Sequence, residues 1–191
     1  MARTPVKSTP SQLHFPVVGI GASAGGIEAL KAFFEALPTR TGAAYVIVLH
    51  LSPDHSSVLP EVLANVTSMP VRQVTDAVPI EANHVYLIPP SKVLVMEDSY
   101  LRVQPPASNA ERRMAIDLFL RSLAEAHRDR AVGIVLSGAG SDGAVGLTRV
   151  KELGGIVVAQ QPEDAAFSSM PRAAIATGQV DLTLPVADMP Q

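Results

Sequence analysis

The sequence contains no cysteine, which excludes a disulfide framework, a thiolate metal site and a cysteine nucleophile, and suits a cytoplasmic location. Aromatic residues are only 4% of the chain and the formal net charge is −3, so neither base-stacking platforms nor a basic stripe indicate a nucleic-acid partner. No apolar run approaches the roughly 20 residues that span a bilayer, and the polar residues 1–14 lack the apolar core of a signal peptide. We therefore expect neither nucleic-acid binding nor membrane insertion.

What is present is an alternation of apolar strand-like runs with segments of helical periodicity. The predicted strands are 16–20, 44–49, 71–74, 85–88, 131–136, 156–160 and 180–184, with a hairpin over 92–104, and the predicted helices are 27–37, 58–66, 111–127, 144–153 and 171–177. This order predicts an α/β fold: a doubly wound, mostly parallel sheet with helices on both faces, Rossmann-like in three layers, plus a small hairpin. We expect one folded domain over 15–186, a disordered tail over 1–14, and a tail or the start of a linker over 187–191.

The most informative local feature is a glycine-rich turn between the first strand and the first helix. Residues 21–25 are Gly-Ala-Ser-Ala-Gly, which matches the G-x-S-x-G pattern of a nucleophile placed on a strand-to-helix corner. Such a corner lifts Ser23 above the carboxyl edge of the sheet and directs the first N–H groups of the helix at whatever Ser23 attacks. The same segment nearly matches a dinucleotide fingerprint, with Gly19, Gly21 and Ala24 in the three small positions.

Two further strand ends carry residues that chemistry can use. His50 follows the predicted strand 44–49, and Asp142 lies on the Gly-rich loop after the strand 131–136. A serine hydroxyl needs a base to take its proton, and a carboxylate on the far imidazole nitrogen orients that base. We therefore predict Ser23, His50 and Asp142 as a catalytic triad. The backbone N–H groups of Ala24, Gly25 and Ala139 are the predicted oxyanion hole.

Other interpretations of these residues stay open at this stage. A dinucleotide site needs an acidic residue at the end of the second strand, whereas the chain has His50 there and no Asp or Glu between Glu35 and Asp54. Ser23 and Asp142 are also residue types that cap helices, and His50 could be a structural histidine. His50 with Asp54 and His55 is a weak metal-site pattern. We predict no metal and no other cofactor.

Several motifs, taken in order, resemble one known family. They are Gly-Ile-Gly-Ala-Ser-Ala-Gly-Gly at 19–26, Leu-His-Leu-Ser-Pro at 49–53, Val-Tyr-Leu-Ile-Pro-Pro at 85–90, Leu-Ser-Gly-Ala-Gly-Ser-Asp-Gly at 136–143, Gly-Ile-Val-Val-Ala-Gln at 155–160 and Ser-Met-Pro-Arg-Ala-Ala at 169–174. From residue 15 to 184 the chain resembles the catalytic domain of the chemotaxis protein-glutamate methylesterase CheB. The resemblance implies Ser23 as nucleophile, His50 as base and Asp142 as third member. It also implies a glutamyl methyl ester on the cytoplasmic helices of a chemoreceptor as substrate, with glutamine deamidation as a related activity.

Some residues within these motifs differ from those of the stand-alone enzymes and are similar to one variant of that family. Ala24 stands where stand-alone enzymes carry Thr, and Ala139 where they carry Met. These variants, with Ile-Asp-Leu-Phe-Leu-Arg-Ser-Leu-Ala at 116–124, resemble methylesterase domains fused to a CheR-type methyltransferase and PAS segments, which are the implied partners. Too few residues precede the first strand for the family's receiver domain, so we expect other regulation or a domain of a longer protein. The alternative function is a catalytically weak signalling module that binds a receptor or partner.

Overall fold

The computed structural model describes residues 13–50 and 58–191. Its strands are β1 (Val17–Ala22), β2 (Ala44–Leu49), β3 (Val71–Gln73), β4 (Ala77–Pro79), β5 (Val85–Leu87), β6 (Val93–Glu97), β7 (Tyr100–Gln104), β8 (Ala131–Val135), β9 (Ile156–Gln160) and β10 (Leu182–Leu184). Its helices are α1 (Gly26–Ala36), α2 (Leu59–Ala64), α3 (Asn109–Arg113), α4 (Ala115–His127), α5 (Ala144–Glu152) and α6 (Ser169–Ala176). Within the described ranges, no helix is both long and apolar enough to cross a membrane. The predicted tail at 1–14 falls mostly on residues 1–12, which lie outside the described residues.

Seven of the strands form one parallel sheet in the order β10-β9-β8-β1-β2-β5-β3. Strand β1 is central: Val17 pairs with Ala44 of β2 on one side and with Ala131 of β8 on the other. The chain places β2 and β5 on one side of β1 and β8 to β10 on the other, so the strand order reverses at β1. This confirms the predicted doubly wound sheet. Ligands bind at such a reversal point, outside the carboxyl ends of the strands.

A second, smaller sheet corrects one detail of the prediction. The predicted hairpin is present as β6 and β7, but it belongs to a three-stranded antiparallel sheet in the order β4-β7-β6. Strand β4 has only three residues and ends in Pro79. A strand this short has too few residues to show an alternating pattern, which is why the sequence did not predict it.

The core lies on both faces of the parallel sheet because successive side chains of a strand point to opposite faces. Val17 packs in one cluster with Ile116 and Phe119 of α4, whereas Val18 packs in the other with Leu30 of α1. All five side chains are at most 7% exposed. Burying an aliphatic or aromatic side chain of this size contributes about 1.5–3 kcal/mol, so these two layers hold the sheet between α1 and α2 on one side and α4 to α6 on the other.

The predicted helix over 111–127 is instead two helices, α3 and α4, separated at Met114. Met114 has φ −116° and ψ 26°, which is not helical. Helix α3 buries none of its residues, so no packing of its side chains constrains it to continue into α4. Helix α4 begins afresh at Ala115 because the next two backbone N–H groups are bound by Asp142 from another part of the chain.

Acid should destabilise the fold through His127. This side chain, in the last turn of α4, is fully buried, and burial, followed by the positive charge of Arg130, lowers its pKa from 6.5 to about 4. In the unfolded chain this histidine binds a proton near pH 6.5, whereas in the folded chain it stays neutral down to about pH 4. His127 therefore lowers the free energy of unfolding as the pH falls between these two values. We expect a loss of about 2 to 3 kcal/mol between pH 7 and pH 4.5 from this group alone.

Urea denaturation of the wild type and His127→Leu at both pH values measures this effect. The variant should show a smaller loss of unfolding free energy on acidification, whereas His14→Gln, which changes an exposed histidine, should behave as the wild type. Equal pH dependence in the wild type and His127→Leu would contradict the assignment.

Candidate active site

Ser23, His50 and Asp142 come from three different strand ends and lie around one cavity. Ser23 follows β1, His50 follows β2 directly, and Asp142 lies between β8 and α5. All three line an open cavity of about 550 Å³ at the carboxyl edge of the sheet. The remaining lining residues are Arg113, Met114, Asp117, Ala139, Gly140, Ser141, Ala144 and Val145. The structure therefore brings the three predicted side chains to one place.

His50 and Asp142 are joined by a short hydrogen bond. The distance from His50 Nε2 to Asp142 Oδ2 is 2.6 Å, and the side chains are 29% and 9% exposed. A carboxylate can only accept, so the imidazole carries its proton on Nε2 and donates it. The neutral ring then keeps a lone pair on Nδ1, which is the nitrogen able to accept a proton.

The carboxylate of Asp142 is held by the start of helix α4. Its Oδ2 accepts the N–H of Ile116 at 2.9 Å, and its Oδ1 accepts the N–H of Asp117 at 2.9 Å. These are backbone N–H groups of the first turn, which have no partner inside the helix. These two bonds hold both oxygens of the carboxylate against the start of the helix. Asp142 is thus fixed in position and available to His50.

The turn that carries Ser23 is tied to the end of β8 through Ser137. The N–H of Ser23 donates to Ser137 O at 3.0 Å, and Ser137 Oγ donates to Ala24 O at 2.8 Å. The N–H of Ser137 in turn donates to Gln160 Oε1 at 2.8 Å. Ser137 and Gln160 are buried, and sequence reasoning missed both. The signal was available, since each is a polar residue at the end of an apolar strand.

Three backbone N–H groups remain available beside Ser23. Within residues 13–50 and 58–191, the N–H groups of Ala24, Gly25 and Ala139 have no hydrogen-bond acceptor. The carbonyl of Ala24 points to Ser137 Oγ. Because a trans peptide directs its C=O and N–H to opposite sides, the N–H of Gly25 points the other way. This arrangement supplies donors without any side chain.

Asp117 lines the cavity and is a further residue that sequence reasoning missed. Its side chain is 5% exposed, and its Oδ1 accepts the N–H groups of Gly143 at 3.0 Å and Gly146 at 2.7 Å. Burial, together with the negative charge of Asp142, raises the pKa of Asp117. The available signal was an acid on the inward face of a helix whose other buried residues, apart from His127, are apolar.

The alternative metal site, His50 with Asp54 and His55, lies mostly outside the described residues. Asp54 and His55 lie outside the described residues, and His50 alone of that pattern is described. In the part of the chain that the structure describes, no group of three His, Asp or Glu side chains is arranged to hold a metal ion.

The family follows from comparison of the whole chain with known proteins. The family model described as CheB methylesterase matches residues 18–191. The chain belongs to the CheB methylesterase family. This confirms the resemblance found in the sequence motifs, and the match begins within β1 and includes all the residues described around the cavity.

Individual relatives of this CheB-family chain agree. The crystal structure of the Thermotoga maritima CheB methylesterase catalytic domain aligns with a TM-score of 0.85 and 26% identity, over 93% of this chain and 96% of that one. A protein of Hydrogenovibrio crunogenus named protein-glutamate methylesterase/protein-glutamine glutaminase is 32% identical over 194 residues, covering 97% of this chain and 51% of the relative. This chain therefore spans about half the length of that relative.

A third relative bears on the fused variant of the family. An uncharacterized 104.1 kDa protein of Rhodobacter capsulatus is 43% identical over 129 residues, which are 66% of this chain but only 13% of the relative. A segment similar to this CheB-family chain thus occurs within a much longer polypeptide.

Substitution of Gly25 should destabilise the protein more than substitution of another left-handed glycine. Gly25 has φ +72°, and an added Cβ would lie 2.7 Å from Ser137 Oγ and 2.9 Å from Ala166 Cβ. Gly178 has φ +68° with nothing within 4 Å. Both Gly→Ala changes incur backbone strain of about 1 kcal/mol, but only Gly25→Ala adds a clash.

We expect Gly25→Ala to lower the free energy of unfolding by about 1–3 kcal/mol more than Gly178→Ala does. Urea denaturation of the two variants beside the wild type measures the difference. Equal losses would mean that the turn has room to move away from Ser137.

Proposed function

We propose that this CheB-family domain is a serine ester hydrolase that removes methyl groups from glutamyl methyl esters of a protein substrate. The observation that carries the proposal is the 2.6 Å bond from His50 Nε2 to Asp142, formed at a cavity that Ser23 also lines. Nucleophile, base and orienting carboxylate are recognised by these roles and not by their order along the chain.

In the first half of the reaction, Ser23 Oγ attacks the ester carbonyl while His50 Nδ1 accepts the hydroxyl proton. The imidazolium that forms is stabilised by Asp142, whose carboxylate is held by two N–H groups at the start of α4. His50 then returns the proton to the departing methoxy oxygen, and methanol leaves with an acyl-serine bond in place. In the second half, His50 removes a proton from water, the hydroxide attacks the acyl-serine, and Ser23 recovers its proton as free glutamate is released.

The tetrahedral intermediates carry negative charge on the former carbonyl oxygen. The N–H groups of Ala24, Gly25 and Ala139 are placed to receive it, since each is unoccupied within the described residues. Stabilisation of this kind uses backbone donors. Ala24 and Ala139 can therefore serve although both positions carry only a methyl side chain.

The substrate proposed is a chemoreceptor helix that carries methylated glutamates. The family and the name of the Hydrogenovibrio relative support this class of substrate. The rim of the cavity includes Met114 and Val145, exposed by 42% and 57%, which suits contact with a macromolecule. Hydrolysis of a glutamine amide is the same acyl transfer with ammonia as leaving group, and we include it. A CheR-type methyltransferase and PAS segments in one polypeptide are the proposed partners, with a cytoplasmic location.

Removal of any one triad side chain should abolish activity. We expect Ser23→Ala, His50→Ala and Asp142→Asn each to lower methanol release from a methylated receptor preparation by more than about 1,000-fold. The reason is that each change removes the nucleophile, its base or the group that orients the base. Methanol release per folded protein is the measurement, with circular dichroism to verify folding.

The matched control is Ser99→Ala, which removes a hydroxyl from the turn between β6 and β7 and should keep wild-type activity. Full activity of the Ser23→Ala variant would overturn the proposal. If the wild type released no methanol yet bound the receptor, and the triad variants bound it equally, the alternative of a signalling module would replace it.

A further inference from the structure

Helices α4 and α5 cap each other through two carboxylates. Asp142, which lies just before α5, accepts two N–H groups from the first turn of α4 at 2.9 Å each. Asp117, in that first turn, accepts the N–H of Gly143 at 3.0 Å and of Gly146 at 2.7 Å at the start of α5. The start of α4 is therefore capped by a residue of the loop before α5, and the start of α5 by a residue of α4, whereas a residue just before the helix usually has this role.

This exchange of caps determines where Asp142 points. Gly143 is the residue next to Asp142, so the bond from its N–H to Asp117 fixes the backbone immediately beyond the catalytic carboxylate. Gly143 has φ +99°, and an added Cβ would lie 2.9 Å from Ile116 Cγ2. The loop that carries Asp142 is therefore in close contact with the start of α4 at Gly143. With both ends of the exchange in place, Asp142 Oδ2 lies 2.6 Å from His50 Nε2.

We propose that Asp117 is a positioning residue of the active site, which holds the loop of Asp142 so that Asp142 orients His50. It acts through Gly143 and Gly146 and not by contact with the reacting atoms. The inference rests on the proposed hydrolase function and deepens it. Neither the triad assignment nor the family comparison requires a second buried acid beside Asp142.

Asp117 lies among a few charged groups. The titratable and charged side chains that line the cavity with it are His50, Asp142 and Arg113. Burial and the negative charge of Asp142 raise the pKa of Asp117, which means that the surroundings disfavour its ionised carboxylate. The hydrogen bonds from the N–H groups of Gly143 and Gly146 offset part of that cost. These two bonds are what the carboxylate of Asp117 contributes to the structure.

The test compares Asp117→Ala with Asp117→Asn on methylated receptor, with activity expressed per active site titrated by a fluorophosphonate. Alanine removes both acceptor bonds, whereas the amide Oδ1 of asparagine can still accept both N–H groups. We expect kcat to fall about 10- to 100-fold in Asp117→Ala with KM changed less than about 2-fold, and Asp117→Asn to recover most of that loss. The acidic limb of the rate profile should move to lower pH in Asp117→Ala, because a loosened Asp142 stabilises protonated His50 less.

A merely structural role would lower the titrated fraction but leave kcat per titrated site and the acidic limb unchanged, and that result would overturn the proposal. The matched control is Asp181→Ala. Asp181 also accepts a backbone N–H, from Val157 at 2.9 Å, but near the amino end of β9, at the edge of the sheet opposite the site. It should show wild-type kcat and a wild-type acidic limb.

Two further measurements keep the result decisive. If Asp117→Ala does not fold, Asp117→Glu is the second variant, since it retains the charge and the acceptor but adds one methylene. Lowered kcat with a moved acidic limb then supports the proposal, and wild-type values overturn it.

The low-field NMR resonance of the His50 Nε2 proton gives a readout without substrate. It should be lost in Asp142→Asn and weakened in Asp117→Ala. Equal methanol release by the wild type and Ser23→Ala would refute the serine mechanism of the proposed function alone, and the NMR result would still test the placement of Asp142 by Asp117.

Discussion

The carboxylate of Asp142 is the point on which the rest of the site depends. It bonds His50 after β2 and the first turn of α4 at the same time. Those bonds give helix α4 its beginning, which explains why a single periodic pattern is divided into α3 and α4 at Met114. A carboxylate that is largely shielded from water is costly unless its oxygens are bonded, and here three donors bond that of Asp142. The capping of one helix and the orientation of His50 therefore depend on one carboxylate.

The second constraint is the close contact of two glycine-rich turns. The turn after β1 carries Ser23, the turn after β8 begins at Ser137, and Ser137 bonds the first turn at both Ser23 and Ala24. Gly25 has room for no side chain against Ser137. The small residues of both turns are required because the main chains approach each other here, and larger side chains would separate them.

The alternation of apolar runs with periodic helices was enough to predict a doubly wound sheet, because buried parallel strands must be apolar on both faces. The glycine-rich turn with Ser23, and His50 and Asp142 at other strand ends, could likewise be selected as a site, since parallel strands share one carboxyl edge. The prediction was wrong about the single helix over 111–127 and incomplete about β4. In both cases the deciding contacts come from residues far away in the chain.

The sequence by itself determined the residue types, their places at strand ends and the family to which the chain belongs. Only the tertiary structure decided that Asp142 bonds Nε2 of His50, that Ser137 and Gln160 hold the turn of Ser23, and that Asp117 caps α5. The physical reason is that these hydrogen bonds join residues far apart in the chain, for example 23 positions for Ser137 and Gln160 and 113 for Ser137 and Ala24. Local propensity and periodicity describe only near neighbours, whereas such bonds depend on how the helices pack on the sheet.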